Sequence, residues 1–365
     1  DFLSGMLTPL ETHAPMLHSL LDAGIIGGVG GVMSFVPLIF FMFLFVAALE
    51  DSGYIARVAF ILDRPLRVFG LQGKSILAFI VAGGLGAGGC AVPGIMSTRT
   101  MREDKDRLVT MLVTPFMNCG AKMPVYAMLI AAFFPGNRTL VMMTLWALSW
   151  ATALCAAWVL RRTVVRGEQT PFVMELPPYH VPIFRSVLRH TWERTWLYIK
   201  KAGTIILAIN IVLWAIMYFP RPPEGTPPHE RLAHSIAGRA GLALEPVTRA
   251  AGFDWRTNIA LIGGFAAKEV VVGALGTAYA LEQAAEEEHQ SLSATLAALP
   301  DWNPLRAFAL MVFVMLYAPC LVTVAVIRRE SGSWKWAAFA TLYSTGLAFT
   351  LAVLIYQAGS FFMVK

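Results

Sequence analysis

Residues 75–100 read SILAFIVAGGLGAGGCAVPGIMSTRT. The stretch is apolar enough to lie in a bilayer, yet Gly83, Gly84, Gly86, Gly88, Gly89 and Pro93 interrupt it. Unpaired backbone groups are costly in lipid. So many helix breakers at membrane depth are therefore tolerated only inside protein or beside water. Such breaks free carbonyls and helix ends to meet an ion. Cys90 sits at the break and Met96 follows it. The alternative is close helix packing through small residues, with Cys90 a small buried hydrophobe. Two more cysteines sit at breaks: Cys119 in TPFMNCGAKMPVY (114–126), beside Asn118 and Lys122, and Cys320 after Pro319 in LYAPCLVT (316–323). Proline frees a carbonyl one turn before it. Cys155 lies in an unbroken segment and reads as packing.

Composition agrees with a membrane setting. Of 365 residues, 57% are apolar and 14% charged, where a soluble domain carries about 45–50% and about 25%. Mean hydropathy is +0.62. The expected class is an all-α polytopic membrane protein with roughly eight segments near 32–49, 75–98, 108–134, 139–160, 202–219, 257–281, 305–327 and 335–357. The net charge of +6 comes from Lys and Arg in short loops, as in cytoplasmic loops, so nucleic acid is not expected as a partner. None of the four cysteines forms a Cys-x-x-Cys pair, against a zinc or disulfide framework. The chain begins at Asp1 without a signal peptide, and reads as processed or cut from something longer.

The two halves match. Shifting by 182 positions aligns ARVAFILDRPLRVFGLQGKSILAFI with GRAGLALEPVTRAAGFDWRTNIALI: Arg57 meets Arg239, Asp63 meets Glu245, and Gly70 meets Gly252. Residues 54–69 and 231–252 then read as amphipathic interfacial helices. Paired, Gly- and Pro-broken apolar segments in two halves point to a transporter's midplane site. Eight full crossings make the repeats parallel. Inverted repeats need one broken segment to be re-entrant. Positive-inside counting asks for a cytoplasmic 161–201 loop and a cytoplasmic Arg328-Arg329…Lys335 turn, which full crossing throughout cannot satisfy together. Both arrangements stay open.

Thiolate and thioether ligands suit soft or borderline transition metals, with Asn and carboxylate oxygens completing a weaker ferrous site. The candidate metal residues are Cys90, Cys119, Cys320, Met96 and Asn118. All seven His read as loop or tail residues, which suits transient passage rather than a storage cage. Ionisable groups at membrane depth add Glu50, Asp51, Lys268 and Glu269 as path candidates. The alternatives are a helix end for the first pair and a structural ion pair between repeats for the second. GLQGKS (70–75) lacks the first glycine of a phosphate-binding loop, and no catalytic motif is found.

The stretches EDSGYIARVAF, GCAVPGIMSTRT, NCGAKMPVYAMLI, GGFAAKEVVVGALG, LYAPC and RRESGSWKW resemble the membrane region of the ferrous iron transport protein B (FeoB) family, from about Gly28 to Gln357. The resemblance implies two Gate repeats, similar to nucleoside-recognition domains. The expected division is an N-terminal interfacial segment (1–30), a first Gate repeat (31–135), an intervening span with a basic cytoplasmic loop (136–195), a second Gate repeat (196–330) and a C-terminal span (331–365). The implied function is a permease core that moves iron(II), as substrate and not as bound cofactor, across a prokaryotic cytoplasmic membrane past Cys90, Cys119 and Cys320. In that family a GTPase domain precedes the membrane part. It is not in this chain, so GTP hydrolysis is assigned to a partner in cis or in trans and the chain itself is not an enzyme. A small accessory protein and a homo-oligomer are further expected partners. A Gate-type transporter of a nucleoside-like solute, using amides such as Asn118, Asn210 and Asn258, and a non-transporting scaffold are the alternatives.

Overall fold

The computed structural model describes residues 17, 21, 27–84, 86, 88–166, 178–220, 233–283 and 292–363. Most of the predicted N-terminal interfacial segment and the acidic link at 286–288 lie outside them.

The first half opens with α1 (Gly27–Asp51) and the amphipathic α2 (Tyr54–Val68). Ile55, Ala59 and Leu66 turn inward on α2, while Phe60, Ile61 and Val68 face out. Gly70 then takes φ +78°, a left-handed turn that favours glycine. Two short helices follow, α3 (Ser75–Ala82) and α4 (Ala91–Ser97). They fold against each other as a hairpin: Cys90 N donates to Val81 O at 2.9 Å. A Cβ on Gly94 would lie 2.7 Å from Ala78 O, so only glycine permits this approach. The chain continues through α5 (Asp104–Val113), a break over residues 114–122, and α6 (Met123–Phe133).

Helices α7 (Arg138–Thr163) and α8 (Phe184–Tyr218) lead to the second half. His190 lies on α8, not in a loop. The pattern then repeats. It comprises α9 (Ile236–Thr248), a left-handed turn at Gly252 (φ +78°), α10 (Trp255–Ala266) and α11 (Val270–Gln283). The pair α10 and α11 is again a hairpin, with Thr257 Oγ1 3.1 Å from Tyr279 OH at its open end. After α12 (Leu292–Ala298) come α13 (Pro304–Leu316), a break at residues 317–320, α14 (Leu321–Ser331), and finally α15 (Trp334–Met363).

The contacts decide how the repeats are related. The open end of the first hairpin lies beside the start of α5: Gln72, just before α3, donates from Nε2 to Asp106. Arg107 near that start pairs with Glu330 at the end of α14, at 2.9 Å. The open end of the second hairpin lies beside the start of α13, where Arg306 pairs with Asp254 at 2.9 Å. Phe133 at the end of α6 stacks on Trp302 there, 5.7 Å between centroids. The broken helices α5–α6 and α13–α14 are therefore antiparallel. The hairpins enter from opposite ends, so the second repeat is the first turned over.

Two of the eight predicted segments, 75–98 and 257–281, thus turn back at their tips instead of running through. This removes the conflict over charge. Arg161 pairs with Asp106 at the first hairpin's open end, at 2.8 Å. The Arg328–Lys335 turn contains Glu330, whose pairing with Arg107 holds it at the same end. By length and composition, three helices among the described residues suffice to cross a bilayer: Arg138–Thr163, Pro304–Ser331 taken through its break, and Trp334–Phe361.

Candidate functional site

Four interruptions meet at the middle of the molecule. They are the two hairpin tips and the breaks of the two antiparallel helices. A cavity of about 90 Å³ lies between them. Its wall is made by residues 88–92 of the first tip, Pro115 and 119–122 of the first break, 266–269 of the second tip, and Pro319, Cys320, Val322 and Thr323 of the second break. Cys90, Cys119 and Cys320 each directly precede the helix or helical turn that restarts after an interruption. The breaks place them on three separate elements, and the inverted packing brings all three to one cavity.

Local bonds hold this geometry. Gly120 N donates to Gly89 O at 2.9 Å, joining the first tip to the first break as a single parallel bridge. Trp146 and Trp150 of α7 both donate to Gly84 O, at 2.9 and 2.8 Å, which fixes the first tip from outside. Cys320 Sγ lies 3.0 Å from Thr323 Oγ1, so the thiol is oriented by its own helix. Among the described residues, no three His, Cys, Asp or Glu side chains stand close enough to hold one metal ion jointly. The thiols share a wall without forming a chelating cage.

The other candidates divide. Lys268 and Glu269 line the cavity. Neither is in an ion pair among the described residues: Lys268 Nζ donates to Ala318 O at 2.9 Å and lies over the Tyr317 ring. Asn118 is buried beside the cavity without lining it, and its Oδ1 accepts from Tyr126 OH at 3.2 Å. Met96 is on the outer side of α4, 37% exposed. Glu50 and Asp51 close α1 at its outer end: Asp51 Oδ2 accepts from Ile183 N at 3.0 Å, and Glu50 meets Arg194 at 3.4 Å. They anchor the start of α8 and do not reach the cavity. Cys155 is exposed on α7, away from the site.

Lys122 was not among the sequence candidates. It is buried, and Nζ donates to three carbonyls: Pro115 at 3.1 Å, Met117 at 2.9 Å and Met315 at 2.7 Å. The first two belong to its own break and the third to the other repeat. A lysine between Pro115 and Pro124 in an apolar run was the available signal, because proline leaves carbonyls unpaired and an ammonium can satisfy them.

Outside the cavity, Asp254 organises the second hairpin's open end. It caps α10 by accepting from Thr257 N at 2.9 Å, and it pairs with Arg306. Burial acts to raise its pKa, but Arg306 and the Thr257 and Tyr279 bonds outweigh burial and hold it below the usual carboxylate value.

Comparison with known proteins adds the following. A family model described as nucleoside recognition (Gate) matches residues 32–133 and 199–334. A second, described as the C terminus of ferrous iron transport protein B, matches residues 142–194. Relatives include the "Fe(2+) transport protein A/Fe(2+) transporter FeoB fusion protein" of Porphyromonas gingivalis, 41% identical over 94% of this chain and 44% of the relative. They also include the Fe(2+) transporter FeoB of Staphylococcus aureus, 37% identical over 96% of this chain and 50% of the relative. That of Methanocaldococcus jannaschii is 39% identical over 94% and 50%. The chain thus spans about half the length of these curated relatives. No solved structure matches.

Proposed function

This chain belongs to the ferrous iron transport protein B family, as its Gate-built membrane part, and on that premise we propose that the central cavity is the passage for iron(II). The observation that carries this reading is the arrival of Cys90, Cys119 and Cys320 from three separate breaks at one cavity wall. Thiolates bind ferrous iron as a borderline metal. Their distribution along a wall, without a cage, suits an ion that must leave again. Iron is the cargo here, and the chain acts as a permease and not as an enzyme.

The end that holds Arg161, Arg162, Arg328, Arg329 and Lys335 is assigned to the cytoplasm by the positive-inside rule. The membrane is the prokaryotic cytoplasmic membrane, crossed several times. A GTPase domain, in cis or in trans, approaches from the same cytoplasmic side. The fusion relative's name supports an accessory partner of the same system.

The nucleoside reading is disfavoured by geometry. The cavity of about 90 Å³ is well below the roughly 300–1,000 Å³ of pockets that enclose organic ligands. Asn258 is spent on Gly241 O at 3.0 Å, outside the cavity. Liposomes holding the chain, under reducing conditions, test the cargo by parallel uptake of ferrous iron, manganese and a nucleoside, with and without added GTPase domain. Iron uptake in either condition supports the permease. Nucleoside uptake, or no flux of any solute in both conditions, overturns it.

A further inference from the structure

Two buried lysines from different repeats aim their ammonium groups at carbonyls freed by helix breaks, and they do so unequally. Lys122 Nζ uses all three of its donors on Pro115, Met117 and Met315, within 3.1 Å. Lys268 Nζ has a single carbonyl, Ala318 O at 2.9 Å, and the face of the Tyr317 ring, 3.0 Å from its centroid. Neither ammonium meets a carboxylate among the described residues. Both lysines line the cavity with the three thiols.

Carbonyls at a broken helix are where transporters coordinate cations. An ammonium placed on them fills a cation's position with a cation that cannot leave the chain. A metal ion entering the same small cavity is repelled by that charge, strongly because little water separates them. Lys122 is tied to both repeats by three bonds and is fixed. Lys268 gives up one hydrogen bond and one ring contact, and its four-carbon stem is flexible.

We propose that Lys268 is a displaceable tethered cation that holds the position beside Ala318 in the empty cavity and yields it to the entering divalent ion, while Lys122 is a permanent latch. The inference rests on the cavity being a divalent-ion passage. In this arrangement Lys268 weakens the resting affinity for metal, so the ion is not trapped. It also closes the second repeat's break when no ion is present.

The test is calorimetric titration of Co²⁺ into the full chain in lipid nanodiscs under reducing conditions. Lys268→Met is expected to bind at least about tenfold tighter than the unaltered chain, or about 1.4 kcal/mol. Lys268→Gln, which keeps an N–H donor but not the charge, is expected to follow it. Lys268→Arg retains the charge and stays near the unaltered affinity, a pattern that a loss of packing alone does not produce. Thermal unfolding of each variant selects the folded ones. Equal or weaker binding by the folded neutral variants, with binding by the unaltered chain, overturns the displacement and leaves the passage standing. No Co²⁺ binding by any of them overturns the passage and this inference with it.

Discussion

Replacing Lys122 by Met removes an ammonium that bonds both repeats. The side chain keeps nearly the same volume, so the change removes the charge and its three hydrogen bonds to Pro115, Met117 and Met315 without opening a void. Interhelical hydrogen bonds in membranes average about 0.6 kcal/mol, which gives a lower figure of about 2 kcal/mol for three. Bonds from a charged donor run to about 1.5–3 kcal/mol each, but losing the lysine also returns the cost of burying its charge. The expected net loss is about 2–4 kcal/mol. At the roughly 1.3 °C per kcal/mol that about 2.1 cal/mol/K per residue gives for a chain of this length, the unfolding midpoint falls by about 3–5 °C. Scanning calorimetry in one lipid composition reads it, with the exposed Lys335→Met as control. A Lys122→Met midpoint within about 1 °C of the control refutes the latch.

Three further outcomes are expected. Asp254 has a depressed pKa in the folded state, so its pairing with Arg306 stabilises above the unfolded carboxylate value. That contribution is lost as pH falls through the lower folded value; the gap in unfolding midpoint between the unaltered chain and Asp254→Asn therefore narrows below about pH 4, and a constant gap contradicts the pairing. Gly94→Val puts a Cβ 2.7 Å from Ala78 O and opens the first hairpin, so maleimide labels Cys90 faster than in the unaltered chain; unchanged labelling contradicts the hairpin packing. Single cysteines at the exposed positions Ile61 and Val247, in a background without other cysteines, are expected to label from opposite faces of the membrane; labelling from one face means that the repeats are parallel.

The repeat itself was legible in the sequence because charges and glycines recur 182 positions apart, and Gly70 and Gly252 do occupy the same left-handed turn. The three cysteine breaks were legible for a similar reason: glycine and proline stop helices wherever they stand. Inversion was not legible. It depends on whether the chain turns back after residue 82, and that depends on how closely Gly94 approaches Ala78, a tertiary contact that composition does not encode. Ligand chemistry and nearness in sequence point to Met96 and Asn118. A short helix carries Met96 outward, and Tyr126 engages Asn118. Glu50 and Asp51 read from the sequence as depth charges or a helix end, and their contacts are those of a helix end. Lys122 reads from the sequence only as a polar group at the break between Pro115 and Pro124. Only the packing of α13 over it supplies Met315 O and closes it from water.

Ferrous-iron uptake into liposomes, comparing the unaltered chain with Cys90→Ser and Cys320→Ser at matched folded amounts and with the GTPase domain supplied if the chain alone is closed, tests most directly whether iron passes the shared thiol wall. Each single serine variant is expected to lose most of the flux while keeping its unfolding midpoint. Full flux in both folded variants contradicts a path along that wall.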